Sequence, residues 1–397
     1  MSVPKILYST GLDDVASRWL KNTQPADQRQ INADIKREVV AAAEALMIAP
    51  RVCFRVYGEN VVLVLLIRAF GVKEVERLLE ERALEFHLWS HQIFTIEDVN
   101  LVRQGLNPLA AGGRPTTAVH SDPEPSAQEG LAKWGASLNL DRKVRRHLAR
   151  LVAKRTTLPS TWISEWAVNR TTVAYANGEI ESLGFDSNVP LHEAPPAQWK
   201  QLSSLAAKFA TTADLMEHEY DLYQSAETWE TLLSLFSQLM ARDRTRAVTE
   251  QILAFHHLPS IPRLLTDGVV SIRDIPRLRA KQETADFRAW LWAQPDPLNA
   301  EAVAQAYLAA LDPRINVTEK RWFKAAHIGT AWGIGVALGA LPFGPIVNAA
   351  LSAAQTASDT IATDKLARKK DPRRFATDVV GTAVARFEFA SKPRPSG

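Results

Sequence analysis

One cysteine, Cys53, stands in 397 residues, so no disulfide can form within the chain. Such poverty of cysteine fits a reducing compartment. A large excess of one charge is also missing: Lys and Arg number 47 against 44 Asp and Glu, a net +3. Dedicated nucleic-acid binders carry a pronounced basic excess, so no sequence-specific nucleic-acid partner is expected. The opening MSVPKILYSTGLDDVASRWL holds no apolar run of signal-peptide length, and Asp13 and Asp14 interrupt it. Nothing before residue 325 is long and apolar enough to span a bilayer. No nucleophile elbow, phosphate loop, zinc ribbon or kinase signature occurs. These absences set the expectation of a cytoplasmic protein with no cofactor, no metal and no assigned catalytic residue.

What is present reads as mainly α: a multi-helix globular protein with a few short strands and a C-terminal Gly/Ala-rich helical hairpin. INADIKREVVAAAEALMIAP repeats apolar residues at helical spacing and stops before Pro50. RVCFRVY alternates Val52, Phe54 and Val56, the period of a strand. GENVVLVLLIRAFG is a buried helix with Asn60 as cap and Gly71 as stop. LEFHLWSHQIF is a second strand with Leu84, Phe86 and Leu88 on one face. Asn177-Gly178 between Val173, Tyr175 and Ile180 signals a β-hairpin near 171–183, since a type I′ turn needs positive φ at both central positions. A long helical run is expected from Trp199 to about Leu258.

Composition suggests the boundaries. Residues 1–104 form a mixed helix and strand domain. Residues 105–130, rich in Gly, Pro, Ser and Thr, form a linker or long loop. Residues 131–315 form a helical domain, and 316–397 hold the apolar hairpin and a basic tail.

Residues 329–358 contain no charged side chain. Gly329 and Gly333 are four apart, as are Gly335 and Gly339, so each pair shares a helix face. Glycine weakens an isolated helix by about 1 kcal/mol relative to alanine, so this density calls for a close packing partner, as between helices in lipid. Pro342 and Pro345 split the segment into two helices, each short for a full crossing. Gly329, Gly333, Gly335, Gly339, Trp332 and Phe343 are the candidate membrane or helix contacts. Lys369, Lys370, Arg373 and Arg374 follow the hairpin as an anion- or lipid-binding set. Arg142, Lys143, Arg145, Arg146 and Arg150 form a second such set, on a basic amphipathic helix.

Two histidine and carboxylate patterns carry weaker signals. Asp214, Glu217, His218 and Asp221 share one helical face, but no second helix supplies matching ligands, so a polar outer face is expected. His87 and His91 lack the glutamate of the zinc-protease motif and are expected to pack or hydrogen-bond at an element's end. Cys53 is read as a buried, inert thiol. The favoured function is a non-enzymatic cytosolic protein, an effector or defence component. Its hairpin would engage membrane lipid or a partner helix at the inner membrane. The expected partner is an anionic membrane surface or a protein, with homo-oligomers allowed. The alternatives are a soluble helical scaffold or regulator with the hairpin as core, and an enzyme with a site near His218.

Overall fold

The structure is a computed structural model. It describes residues 6–21, 27–113, 115–218, 220–222, 260–293 and 374–391, with the isolated positions 249, 252, 253 and 307. The hairpin of 325–358, and with it Gly329, Gly333, Gly335, Gly339, Trp332 and Phe343, lies outside the described residues, as do Lys369, Lys370 and Arg373. No helix among the described residues is long and apolar enough to cross a membrane.

The chain is mainly helical, as expected. In order it forms β1 (Ile6–Ser9), α1 (Gly11–Val15), α2 (Gln28–Ile48), β2 (Arg51–Tyr57), α3 (Val61–Phe70), α4 (Val72–Glu80) and β3 (Leu84–Trp89). There follow β4 (Ile93–Thr95), α5 (Val99–Arg103), β5 (Leu109–Ala111), α6 (Ala118–Ser121), α7 (Pro123–Lys133) and α8 (Arg142–Ala153). Next come β6 (Thr156–Thr157), α9 (Trp162–Ala176), α10 (Pro196–Glu217) and β7 (Asp221–Leu222). Further on are α11 (Ile261–Thr266), α12 (Ile275–Arg279), α13 (Gln282–Leu291) and α14 (Thr382–Ser391).

Two compact units result: residues 6–35 with 51–223, and residues 36–50 with 224–397 and the first five. In the first unit five strands form a parallel sheet of order β6-β3-β2-β1-β7. The chain adds β2, β3 and β6 on one side of β1, then returns to add β7 on the other, so the strand order reverses at β1. Register makes the two faces differ. Alternate side chains of a strand point to opposite faces, and Tyr8 pairs with Cys53 while Arg55 pairs with His87. One face therefore carries Leu7, Val52, Phe54, Val56, Leu84, Phe86 and Leu88, all buried. The other carries Tyr8, Cys53, Arg55, His87 and Trp89.

Local chemistry fixes several boundaries. The Asn60 side chain accepts from Leu63 N–H at 2.8 Å, capping α3. Gly71 ends α3 at φ +92°, a value that favours glycine. Strand β2 spans the expected seven residues.

Three expectations meet a different structure. Residues 171–176 are helical, and Asn177-Gly178 closes α9 instead of turning a hairpin. Gly178 N–H donates to Tyr175 O at 3.1 Å and Glu179 N–H to Ala174 O at 3.0 Å, with Gly178 at φ +74°. This is the Schellman stop, which demands positive φ just as the hairpin does. Thr171 and Thr172 read as strand formers, yet their hydroxyls donate back to Ala167 O and Val168 O within the helix. The helix starting near Trp199 ends at Glu217, and β7 follows. Residues 105–130 hold β5, α6 and most of α7. Their polar residues serve as caps there: Asp122 accepts from Glu124 N–H at 3.0 Å, with Pro123 in the first turn of α7.

Candidate functional site

The polar face of the sheet meets the end of α10, and there a buried cluster forms. Tyr8, His87 and Asp214 are fully buried, and His91 is nearly so. Tyr8 is the penultimate residue of β1, His87 lies in β3, and His91 sits two residues beyond the end of β3. Thr157 ends β6, so three strands contribute from their carboxyl halves. In open parallel sheets that end, near a reversal of strand order, is where ligands bind.

Asp214 Oδ2 lies 2.7 Å from His91 Nε2 and 3.4 Å from His87 Nε2. His91 Nδ1 is 3.0 Å from Ser164 Oγ in the first turn of α9. On the other side, His87 Nδ1 is 3.0 Å from Thr157 Oγ1, which is 3.0 Å from Tyr220 OH. The Tyr220 ring stacks on Tyr8 at 5.4 Å and on His218 at 5.2 Å between centroids. His218 packs edge-on against His87 at 5.4 Å. Glu217 is exposed, and Ser160 Oγ donates to its Oε1 at 2.5 Å. The half-buried His218 and the exposed Glu217 bring the cluster to the surface.

Four side-chain atoms in this cluster are buried without a hydrogen-bond partner: Tyr8 OH, His87 Nε2, Asp214 Oδ1 and His218 Nε2. Such atoms are rare in native structures, and each demands a reason. Desolvation alone would raise the Asp214 carboxyl, but the adjacent His87 and His91 imidazoles outweigh it and hold Asp214 below the usual aspartate range. Burial lowers His218, and the neighbouring His87 lowers it further. Burial pushes the phenols of Tyr8 and Tyr220 up. It also pushes up the Cys53 thiol, the inert thiol expected from the sequence. Near neutral pH the centre thus combines a carboxylate, a neutral His218 imidazole and two protonated phenols.

A second charged group borders the carboxyl ends of β1 and β2. Arg55 Nε donates to Asp13 Oδ2 at 2.9 Å and pairs through Nη2 with Asp14. Tyr57 N–H donates to Asp13 Oδ1 at 3.0 Å. The guanidinium lies over the Trp89 ring, 5.6 Å from its centre, and Trp89 meets His91 edge-on at 4.5 Å. Arg55 and Trp89 therefore wall the cluster on that side.

The sequence placed Asp214, Glu217 and His218 on one helical face, and their ligand atoms do lie within 4.8 Å of one another. Its expectation of a polar outer face is corrected for Asp214, which is fully buried because that turn of α10 packs on the sheet. Asp221 belongs to β7 and not to the helix. His91 does hydrogen-bond just beyond an element's end, whereas His87 does so from within β3. Tyr8 and Ser164 carried no sequence signal beyond Tyr8's place in a short apolar run.

The basic set lies on α8, capped by Asp141 accepting from Val144 N–H at 2.8 Å. Arg142, Lys143, Arg146 and Arg150 are exposed and Arg145 is half-buried. Acids on neighbouring helices face part of this surface: Glu76 is 2.7 Å from His147, and Glu124 is 3.9 Å from Arg150. Arg374 pairs with Glu283 at 2.8 Å and Asp378 at 3.0 Å. Comparison with protein-family models, with curated proteins and with solved structures finds no match.

Proposed function

We propose that residues 6–35 and 51–223 form an enzyme core whose reaction centre is the Tyr8, His87, His91, Asp214 and His218 cluster. The supporting observation is the set of four buried polar atoms left without partners where the end of α10 meets the polar face of a parallel sheet. A polar network kept only for structure gains nothing from orphaned groups, because each costs about 1–3 kcal/mol to bury. Groups held unsatisfied at such a cost mark places where function has been selected over stability. Imidazole and carboxylate side by side are the groups of proton transfer.

Tyr8→Phe tests this reading without knowledge of a substrate. The change removes one orphaned hydroxyl and keeps the ring stacked on Tyr220. In metal-stripped protein the variant is expected to unfold about 1 kcal/mol higher than the parent, measured by urea titration. A loss of stability would mean that the hydroxyl has a structural partner and the centre is ordinary core.

The uncharged segment of 329–358 supports a second activity, contact with lipid or a partner helix through its paired glycines. The full chain is then expected to float with anionic liposomes in a salt-sensitive manner. Gly335→Lys should abolish flotation and leave the unfolding transition unchanged. Whole-protein melting caused by that substitution would assign the segment to the core instead.

A further inference from the structure

We propose that Asp214, Glu217 and His218, with His87 beside them, hold one divalent transition-metal ion of the zinc and cobalt class. This inference rests on reading the cluster as the reaction centre, and it names the agent that the centre works with.

The unpartnered atoms are the first argument. His87 Nε2, Asp214 Oδ1 and His218 Nε2 are all metal-ligating atoms, and all three are buried with no hydrogen bond. Two of the three side chains are completely buried. Asp214, Glu217 and His218 bring ligand atoms within 4.8 Å of one another, and His87 Nε2 stands 3.4 Å from Asp214 Oδ2, so a cation bound there would engage the orphaned atoms and neutralise the buried carboxylate.

The surroundings are the second argument. Metal-binding histidines characteristically engage the other ring nitrogen with a fixed polar group, which sets tautomer and orientation. His87 Nδ1 has that partner in Thr157 Oγ1 at 3.0 Å. Ligating carboxylates are likewise held from behind. Asp214 Oδ2 is held by His91 at 2.7 Å, and His91 in turn by Ser164 at 3.0 Å. His91 and Ser164 are thus positioning residues that aim Asp214 Oδ1 away from themselves. Every tethered nitrogen or oxygen of His87 and Asp214 has its untethered twin among the orphaned atoms.

The donor chemistry selects the ion. Calcium and magnesium require mainly oxygen ligands. Imidazole and carboxylate together suit zinc and its neighbours. Glu217, exposed to solvent, completes the group on its outer side. A rival arrangement, Ser164 as nucleophile with His91 and Asp214, uses the same distances. It leaves the same polar atoms orphaned, and Ser164 is buried to 4% exposure.

A second group, Glu76, Glu80 and His147, also has ligand atoms within 4.8 Å. It lies on the surface, and His147 is 2.7 Å from Glu76. It provides an internal control.

The test is a titration of the full-length, untagged and chelator-stripped protein with cobalt(II), followed by visible absorption. One equivalent is expected to bind and develop ligand-field bands. His218→Ala should weaken binding at least about 100-fold, and His147→Ala should leave it unchanged. A rise in the unfolding temperature of the unmutated protein with zinc, reversed by chelator, gives a readout that needs no variant. Absence of a stoichiometric cobalt complex overturns the proposal. So does cobalt binding undiminished in His218→Ala, or an unfolding temperature indifferent to zinc. Should cobalt fail while Tyr8→Phe still stabilises, the metal falls and the reaction centre stands. Should Tyr8→Phe destabilise the stripped protein, the reaction-centre reading falls whatever cobalt does.

Discussion

Arg279→Ala is expected to lower the stability of its unit by about 3–5 kcal/mol. Arg279 is 5% exposed, and its guanidinium reaches the end of α2. Its Nη1 donates to Leu46 O and to Ala49 O, the latter at 2.7 Å, and its Nη2 donates to Pro50 O. Carbonyls at a helix C-terminus have no partner within the helix. The same end carries partial negative charge, which a cation stabilises. Arg288 donates to Met47 O at 3.3 Å and Trp292 to Ile48 O at 3.0 Å, so residues 279–292 satisfy the last three carbonyls of α2. Truncating Arg279 removes three charge-assisted bonds and leaves buried acceptors unpaired, the more expensive of the two ways to lose a hydrogen bond. Lysine restores the charge but offers no planar fork to span three carbonyls, so Arg279→Lys should recover less than half of the loss. The check is urea unfolding by circular dichroism, with the transitions of the two compact units fitted separately. If both variants fall within 1 kcal/mol of the parent, the cap is not what holds that helix end.

Gly130→Ala should destabilise the other unit by about 2–3 kcal/mol, against what helix propensity alone says. Gly130 lies in α7, where alanine would ordinarily gain about 1 kcal/mol. Yet a Cβ there would stand 2.5 Å from Asn60 O, 2.7 Å from Asn60 C and 2.8 Å from Asn60 N. All three are backbone atoms, and Asn60 is the cap of α3. One turn earlier, Ser126 O accepts from Asn60 N–H at 3.0 Å and Ser126 Oγ donates to Gly58 O at 2.6 Å. Helix α7 is therefore pinned to this turn through Ser126 and cannot withdraw from it at Gly130 without losing those bonds. Packing wins over propensity because backbone cannot rotate out of the way. A thermal melt that rises in Gly130→Ala would show that the two helices have room to separate.

The elements legible in the sequence are those settled within a few residues. The alternation Val52, Phe54, Val56 specified β2 because its period matches a pleat. Asn60 and Gly71 specified the limits of α3 because cap and stop act on the nearest turn. Asn177-Gly178 showed the boundary of this kind of reading. Its need for positive φ was visible, but two structures meet that need, and the burial of Ile163, Ala167, Val168, Thr171, Ala174 and Tyr175 as one helical face chose between them.

The site was legible only in fragments. Helical spacing grouped Asp214, Glu217 and His218 correctly, but nothing local says which side of a helix turns inward. His91 meets Asp214 across 123 residues, and His87 meets Thr157 across 70. Those meetings require the parallel order β6-β3-β2-β1-β7, and a mainly helical pattern with scattered short strands does not encode that order.

By itself, then, the sequence determined helix and strand identity over much of the first unit, the caps, and an uncharged glycine-paired segment near the C-terminus. Tertiary structure alone decided that the short strands share one parallel sheet, that its second face is polar, and that Asp214 lies against it. The division follows from range. Turns and caps are bonds between near neighbours in the chain. A buried centre is a sum over distant segments, fixed by which face of each the remaining core leaves available.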